Sequence, residues 1–319
     1  MRVQGERVLV TGGLGFIGRH LCRALVARDA SVVALDRETP GAEALQDLVR
    51  SGRLEVVHGD LRTADLAPAL RGCASVFHLA ANADVRTAEE RPREVFEDNV
   101  LATARLLDAM HDAGVTRLGF PSTSTVYGEP SVVPTPEDHE PLAPISVYGA
   151  SKLAAEGLIH GYAANRELTA VVWRLANVVG GGATHGVAFD LVRKLKASPA
   201  ELEILGRDPG TRKSYVHVDD VLAAMLHPDA DAPHGVETFN VGSEDAITVR
   251  EVADAVCRAM GLAGVAYRWT GGVAGGGWTG DVRTMALAVE KLKARGWRPR
   301  HGSAESVSLA AAALAGNAR

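Results

Sequence analysis

Val8-Leu9-Val10-Thr11-Gly12-Gly13-Leu14-Gly15-Phe16-Ile17-Gly18 is the stretch that decides the fold. An apolar run ends at a small polar residue, and three glycines follow at a G-x-x-G-x-x-G spacing. An amphipathic stretch then begins, with Phe16, Ile17, Leu21, Leu25 and Val26 on one face. The pattern predicts a strand over Arg7–Val10, a tight turn, and a helix over Gly15–Arg28. That geometry suits a dinucleotide diphosphate. Gly12 lets the chain turn, Gly15 removes a side chain where the phosphates approach, and Gly18 lets the helix pack against the strand. The helix N-terminus offers free N–H groups and the positive end of its dipole. The same glycines also fit an ordinary strand-to-helix turn, so the rest of the chain must supply the context.

Outward from this stretch, strand and helix signals alternate. Strands are predicted at Ser31–Asp36, Leu54–His58, Ser75–Leu79, Thr116–Pro121 and Thr169–Leu175, with helices at Glu94–His111 and Tyr148–Ala164. The strands are near-continuous apolar runs, as expected where helices cover both faces of a parallel sheet. The fold class expected is α/β, a Rossmann-like doubly wound parallel sheet. The texture changes after about residue 177. Gly180-Gly181-Gly182 breaks the pattern, and short strands (202–205, 215–218, 238–241) mix with helices at 219–226 and 249–260. A loop with six glycines spans Gly271–Gly280, and residues 291–300 and the alanine-rich stretch 305–315 close the chain. The expected organisation is therefore a dinucleotide-binding domain over 1–176, with part of 215–242 returning to it. A smaller C-terminal α/β substrate-binding lobe takes up most of 177–319.

Composition narrows the class of function. The chain has 319 residues, 46% hydrophobic and 23% charged, with a net charge of -5, which suggests neither nucleic acid nor an anionic membrane as partner. No apolar run approaches the roughly 20 residues that span a bilayer. Met1–Gly5 runs straight into the first strand, which leaves no room for a signal peptide, so a cytoplasmic location is expected. Cys22, Cys73 and Cys257 are few and scattered, as in a reducing compartment, and no metal-ligand spacing is visible among the histidines.

Several residues carry chemistry. Asp36 ends the second strand, 18 residues after Gly18, where a carboxylate can accept hydrogen bonds from ribose hydroxyls and repel a 2′-phosphate. That favours NAD, although Arg37 beside it is a residue type that can accommodate such a phosphate. Asp60 in Gly59-Asp60-Leu61 can bond an adenine amino group or cap the helix expected at Thr63–Leu70. The small residues of Leu79-Ala80-Ala81 allow close approach of the backbone to a cofactor, and suit core packing equally. Tyr148 and Lys152 lie at i and i+4 of a predicted helix, one turn apart on one face. An ammonium beside a phenol lowers the phenol pKa from about 10 toward neutrality and makes a usable general base. Upstream, Pro121-Ser122-Thr123-Ser124-Thr125-Val126-Tyr127-Gly128 places hydroxyls at the carboxyl end of the fifth strand, the edge where such sheets bind ligands.

Taken together, Thr11–Gly18, Asp36, Gly59-Asp60, Leu79-Ala80-Ala81, Ser122–Gly128, Tyr148–Lys152 and Arg174-Leu175-Ala176-Asn177 resemble the extended short-chain dehydrogenase/reductase family. The match within it is to the NAD-dependent nucleotide-sugar epimerases, and it covers nearly the whole chain in the family order. The resemblance implies that Tyr148 is the base, that Lys152 tunes it and holds the nicotinamide ribose, and that Thr123 stands at the catalytic serine or threonine position. It implies an NAD site of Gly12, Gly15, Phe16, Ile17, Gly18, Asp36, Arg37, Asp60, Leu61, Leu79, Ala80, Ala81, Asn99, Tyr148 and Lys152. Asn177 matches an asparagine that contacts the nucleotide diphosphate, and Arg86, Thr123, Thr125, Arg212 and Lys213 complete the substrate set. Dehydratases of the family carry Asp-Glu, and decarboxylases a Glu, where this chain has Ser124-Thr125, so simple epimerisation of a UDP-hexose through a 4-keto sugar is the activity implied. UDP-glucose and UDP-galactose are the expected pair. Val85-Arg86 resembles a pair found in UDP-glucuronate 4-epimerases, so that reaction stays open, as does another nucleotide-sugar reaction on the same scaffold. Lys213-Ser214 replaces a family Arg-Asp, and Trp278 replaces a family arginine, so phosphate contacts in the C-terminal lobe depart from the pattern. The helices at 94–111 and 148–164 match those forming a dimer interface in the family. Phe96, Val100, Leu107 and Met110 would supply either apolar interface or core.

Overall fold

The computed structural model describes residues 1, 3–37, 41–83, 85–273, 277–278 and 280–316, and only the backbone for residues 85–87. Two compact units emerge. The first comprises Met1–Thr123, Val147–Arg174 and Leu222–Phe239, and the second Ser124–Ser146, Leu175–Val221 and Asn240–Arg319. The excursion of Ser124–Ser146 into the second unit has no composition shift to mark it in the sequence.

A seven-stranded sheet organises the first unit. Its strands are β1 (Arg7–Thr11), β2 (Ser31–Asp36), β3 (Leu54–His58), β4 (Ser75–His78), β5 (Arg117–Thr123), β6 (Thr169–Leu175) and β7 (Val236–Val241). Their order is β7-β6-β5-β4-β1-β2-β3, so the chain reverses direction across the sheet between β1 and β4. β1 pairs parallel with β2 and with β4, and β2 and β4 pair parallel with β3 and β5. This is the expected doubly wound sheet, and β7 is the returning piece from 215–242.

The apolar strands read as they do because both faces are covered. Leu9, Val33, Val76, Phe120 and Val172 pack with Leu106 in one core. Each such side chain contributes about 1.5–3 kcal/mol on burial. In the same sheet, Phe77 of β4 stacks on Trp173 of β6 with ring centroids 6.2 Å apart. Gly119 of β5 makes room for that pair, since a Cβ there would lie 2.8 Å from the Phe77 ring and 2.9 Å from Trp173.

Three helices position the site in this unit. Helix α1 (Phe16–Val26) follows the glycine turn, and α3 (Val147–Asn165) precedes β6. Between them, the predicted helix at 94–111 is built as Pro92–Phe96, a π-helical turn at Glu97–Leu101, and α2 (Ala102–Asp112). The wider turn is not visible in the 3.6-residue periodicity, and such turns gather at functional sites.

The second unit is built from short strands and helices. Arg212–Lys213 lies between Ile247–Thr248 and Thr284–Met285, while Asn177–Val179 pairs with Tyr215–His217. Helices Val187–Ala197, Val249–Ala259 and Ser303–Ala315 enclose a separate core that includes Leu191, Leu202, Val252, Val256 and Val307. Among the described residues, no helix is long and apolar enough to cross a membrane.

Candidate functional site

The glycine turn sits where the strand order reverses, the place at which open parallel sheets bind ligands. Gly12 has a φ of +65°, and a Cβ there would lie 2.7 Å from the backbone nitrogen of Ala80. The small residues after β4 are therefore the other wall of the turn. A Cβ on Gly18 would lie 2.1 Å from the Gly12 carbonyl oxygen, so this position lets α1 start against the turn. No side chain caps α1 at Gly15, which leaves its first N–H groups for a ligand. One oxygen of the Asp36 carboxylate accepts a hydrogen bond from the Leu14 N–H at 3.0 Å, inside the glycine turn itself. An anion-binding turn beside a fixed carboxylate is the donor and acceptor set that a dinucleotide diphosphate and its ribose require. The residues present fit NAD.

Arg37 is tied at 2.8 Å to the buried Asp98, which Arg62 also approaches at 3.4 Å. This ion pair holds one arm of the half-exposed Arg37 guanidinium within the protein. Asp60 is gripped by Arg62, with Nε at 3.0 Å and Nη2 at 2.6 Å. Its backbone oxygen accepts from Ala64 N–H at 2.7 Å, and the helix that follows is only Ala67–Leu70. The Leu61 side chain is in the core, whereas Phe16 and Ile17 are half-buried on α1.

Thr123 ends β5 and Tyr148 opens α3, and their hydroxyls are hydrogen-bonded. Lys152, one turn further on, is buried, with Nζ 3.9 Å from the centroid of the Phe120 ring. Burial pushes the Tyr148 hydroxyl up to about 12, and only the Thr123 bond pulls the other way. Burial also brings Lys152 down to about 7, with Glu156 opposing it. The lowered tyrosine pKa expected from the spacing is thus reversed. Desolvation of the phenolate outweighs a lysine that is itself desolvated and carries its proton only near and below neutrality.

Glu156, which the sequence reading missed, continues the row Tyr148, Lys152, Glu156 along α3. Its carboxylate is buried against Arg174 of β6, with Nη2 2.8 Å from Oε2, and Ser122 of β5 donates to its other oxygen. The i, i+4 repeat of the row was the available signal.

Asn99 sits in the π-helical turn, 2% exposed. Its Oδ1 accepts from Asn82 N–H at 2.7 Å, and its Nδ2 donates to the Asn82 carbonyl at 3.0 Å and to Ser151 Oγ at 2.9 Å. Both Nδ2 hydrogens are used within the protein, and Asn99 holds the backbone of Asn82. Arg86 lies in the helix Val85–Glu90, and its side chain is outside the described residues.

In the second unit, Thr125 is half-buried in the turn Ser124–Tyr127. Asn177 Nδ2 donates to the Ser214 carbonyl at 3.0 Å, fastening two short strands together. Arg212 is exposed. Lys213 is ion-paired with the buried Asp281, and its Nζ lies 5.4 Å from the centroid of the Trp278 ring. Its charge is already balanced inside the unit, which weakens its expected role as a diphosphate partner.

Residues 8–242 match the model of the NAD dependent epimerase/dehydratase family. A UDP-glucose 4-epimerase from Corynebacterium glutamicum is 31% identical, covering 92% of this chain and 91% of the relative. A solved UDP-galactose 4-epimerase is 38% identical, with a TM-score of 0.83 over 97% of this chain and 99% of the other. The solved MoeE5, in complex with UDP-glucuronic acid and NAD, is 32% identical, with a TM-score of 0.84 over 96% and 97%. The chain belongs to the NAD dependent epimerase/dehydratase family. It is an enzyme of that family, and NAD is its cofactor.

Proposed function

We propose that the protein is a nucleotide-sugar 4-epimerase that interconverts UDP-glucose and UDP-galactose. The observation that carries this reading is the Thr123–Tyr148 hydrogen bond with Lys152 one helical turn on. Two hydroxyls and an ammonium at the end of β5 handle the proton of a secondary alcohol without any carboxylate. The neighbouring Ser124-Thr125 offers no acid to expel a substituent or base to attack C5, which speaks against dehydration.

In this reading Gly12, Gly15 and Gly18 with the α1 N-terminus hold the cofactor diphosphate, and Asp36 holds its adenosine ribose. Bound there, NAD supplies a reversible hydride acceptor for C4 of the sugar. Tyr148, as the phenolate, takes the proton of the sugar 4-hydroxyl, while Thr123 hydrogen-bonds the same oxygen. Burial makes the phenolate costly, so the positive charge of Lys152 is what allows the proton to move. A proton lost from O4 and a hydride lost from C4 leave a 4-keto sugar, and return of the hydride to the opposite face of C4, with the proton going back to O4, inverts C4. No net oxidation occurs and no nicotinamide is consumed. Asn177 is the residue of the second unit that we assign to the UDP diphosphate.

UDP-glucuronate is the second candidate substrate, favoured by the relative that binds UDP-glucuronic acid. We further propose a cytoplasmic homodimer, for which Phe96 and Leu101, 55% and 42% exposed, supply apolar surface. Of the other interface candidates, Leu107 and Met110 are core residues, each 1% exposed, and Val100 is half-buried.

The test is to incubate the purified protein with UDP-galactose, UDP-glucose, UDP-glucuronate and their N-acetylhexosamine counterparts, with no nicotinamide added. C4 epimers of the two neutral hexoses are expected by NMR. Conversion of UDP-glucuronate alone would move the assignment to the second substrate, and consumption of NADH in step with product would identify a ketoreductase.

A further inference from the structure

β4 reads Ser75-Val76-Phe77-His78 and ends on His78, which is 1% exposed. Both ring nitrogens have partners. Nδ1 lies 2.7 Å from Thr11 Oγ1, and Nε2 lies 2.9 Å from Thr103 Oγ1. The hydrogens in this chain can each be assigned. Thr103 Oγ1 donates its only hydrogen to the Asn99 carbonyl at 2.6 Å, so the hydrogen between Thr103 and the ring belongs to Nε2. A neutral ring then accepts at Nδ1 from Thr11 Oγ1–H, and Thr11 Oγ1 in turn accepts from the Ala80 N–H at 3.3 Å. A second proton on the ring would reverse the Thr11 bond and take this acceptor away from the Thr11 hydroxyl hydrogen. Burial, with Lys152 adding to it, holds the ring pKa down at about 3.

Both ends of this chain lie at the site. Ala80 is the backbone wall against Gly12. Asn99 grips Asn82 and Ser151, and Ser151 Oγ donates at 2.7 Å to the carbonyl of Tyr148. The ring also packs at 5.8 Å against Phe120, the ring that Lys152 covers. One side chain therefore connects the end of β1, the segment 80–82, the π-helical turn and the first turn of α3.

We propose that His78, as the neutral Nε2–H tautomer, is a positioning residue for epimerisation, holding the segment Ala80–Asn82 and Asn99 in register with the helix that carries Tyr148 and Lys152. The proposal rests on the reading given under the proposed function, and its test keeps the two apart.

Histidine-specific 15N NMR of the NAD-bearing protein should show His78 as the Nε2–H tautomer, unchanged from pH 6 to 9. A Nδ1–H tautomer, or titration in that range, overturns the proposal. In His78→Leu and Thr103→Val, amide hydrogen exchange over residues 79–82 should speed up while bound NAD is retained. Their kcat, per folded NAD-bearing molecule, should fall on the order of tenfold or more with little change in KM, because misplacement acts on the oriented step. His78→Gln, which keeps a donor toward Thr103, should recover most of that loss. The double variant His78→Leu/Thr103→Val should be no worse than either single one, as for members of one network. A kcat within twofold of wild type in His78→Leu overturns the proposal. So does an exchange rate over 79–82 that does not change. If the wild-type protein epimerises none of the UDP-sugars, the proposed function fails, and the tautomer and exchange measurements still decide the role of His78.

Discussion

As the proposed base, Tyr148 must give up a proton that its surroundings make it keep. Burial raises its hydroxyl to about 12 and lowers Lys152 to about 7, and both shifts oppose a phenolate beside an ammonium. Tyr148→Phe should lower turnover by at least ~10², the usual scale of a positioned acid–base group, with NAD still bound. A fully active Tyr148→Phe enzyme would remove the assignment. Burial of ionisable groups also shapes stability. His78 is held at about 3 against its ordinary 6.5, and the Met1 amine at about 6 against 8.0. In each case the unfolded chain binds more protons than the folded one between the two values, so stability falls as pH drops through those windows. Lys152, at about 7 against 10.5, makes stability rise above neutrality in the same way. The urea midpoint should decline from pH 8 to pH 5, and His78→Gln should flatten the part below about pH 6.5 set by an ordinary histidine. A midpoint that climbs on acidification contradicts this.

Helix α3 is the element on which the chemistry hangs, and it is fixed from beneath by the Glu156–Arg174 pair, whose side chains are 3% and 7% exposed. Arg174→Met leaves a buried carboxylate hydrogen-bonded, among the described residues, to Ser122 alone, and should cost about 3–5 kcal/mol, measurable by denaturant unfolding. Glu156→Leu/Arg174→Met removes both charges and should be the more stable of the two variants. The outcome against the account is a double variant less stable than Arg174→Met. At this scale most of the fold was legible. Apolar strands and glycine punctuation located β1 to β6 within a few residues, because both record burial directly. The Tyr148–Lys152 row was legible because helical spacing is local. Asn99, His78 and Arg174 were not read in their roles, since their partners lie 17 to 67 residues away along the chain and leave no spacing to recognise. The resting charge of Tyr148 was misread for a related reason. Spacing reports a neighbour, whereas desolvation depends on the whole surround.

For the molecule as a whole, the family supplies NAD and the chain supplies a site that can work with a recycled cofactor. A single dimer in light scattering is the expected state of the protein, and Phe96→Glu, which puts a charge on the proposed apolar surface, should yield monomers. Monomer in the wild-type protein would end that proposal without touching the chemistry. The central claim is that hydride leaves C4 and comes back to it within one bound complex. UDP-galactose carrying deuterium at C4, incubated with the protein and no added nicotinamide, tests it directly. The account predicts UDP-glucose that keeps its deuterium at C4. Loss of the label to solvent, or inversion that appears only with stoichiometric NADH, would contradict it.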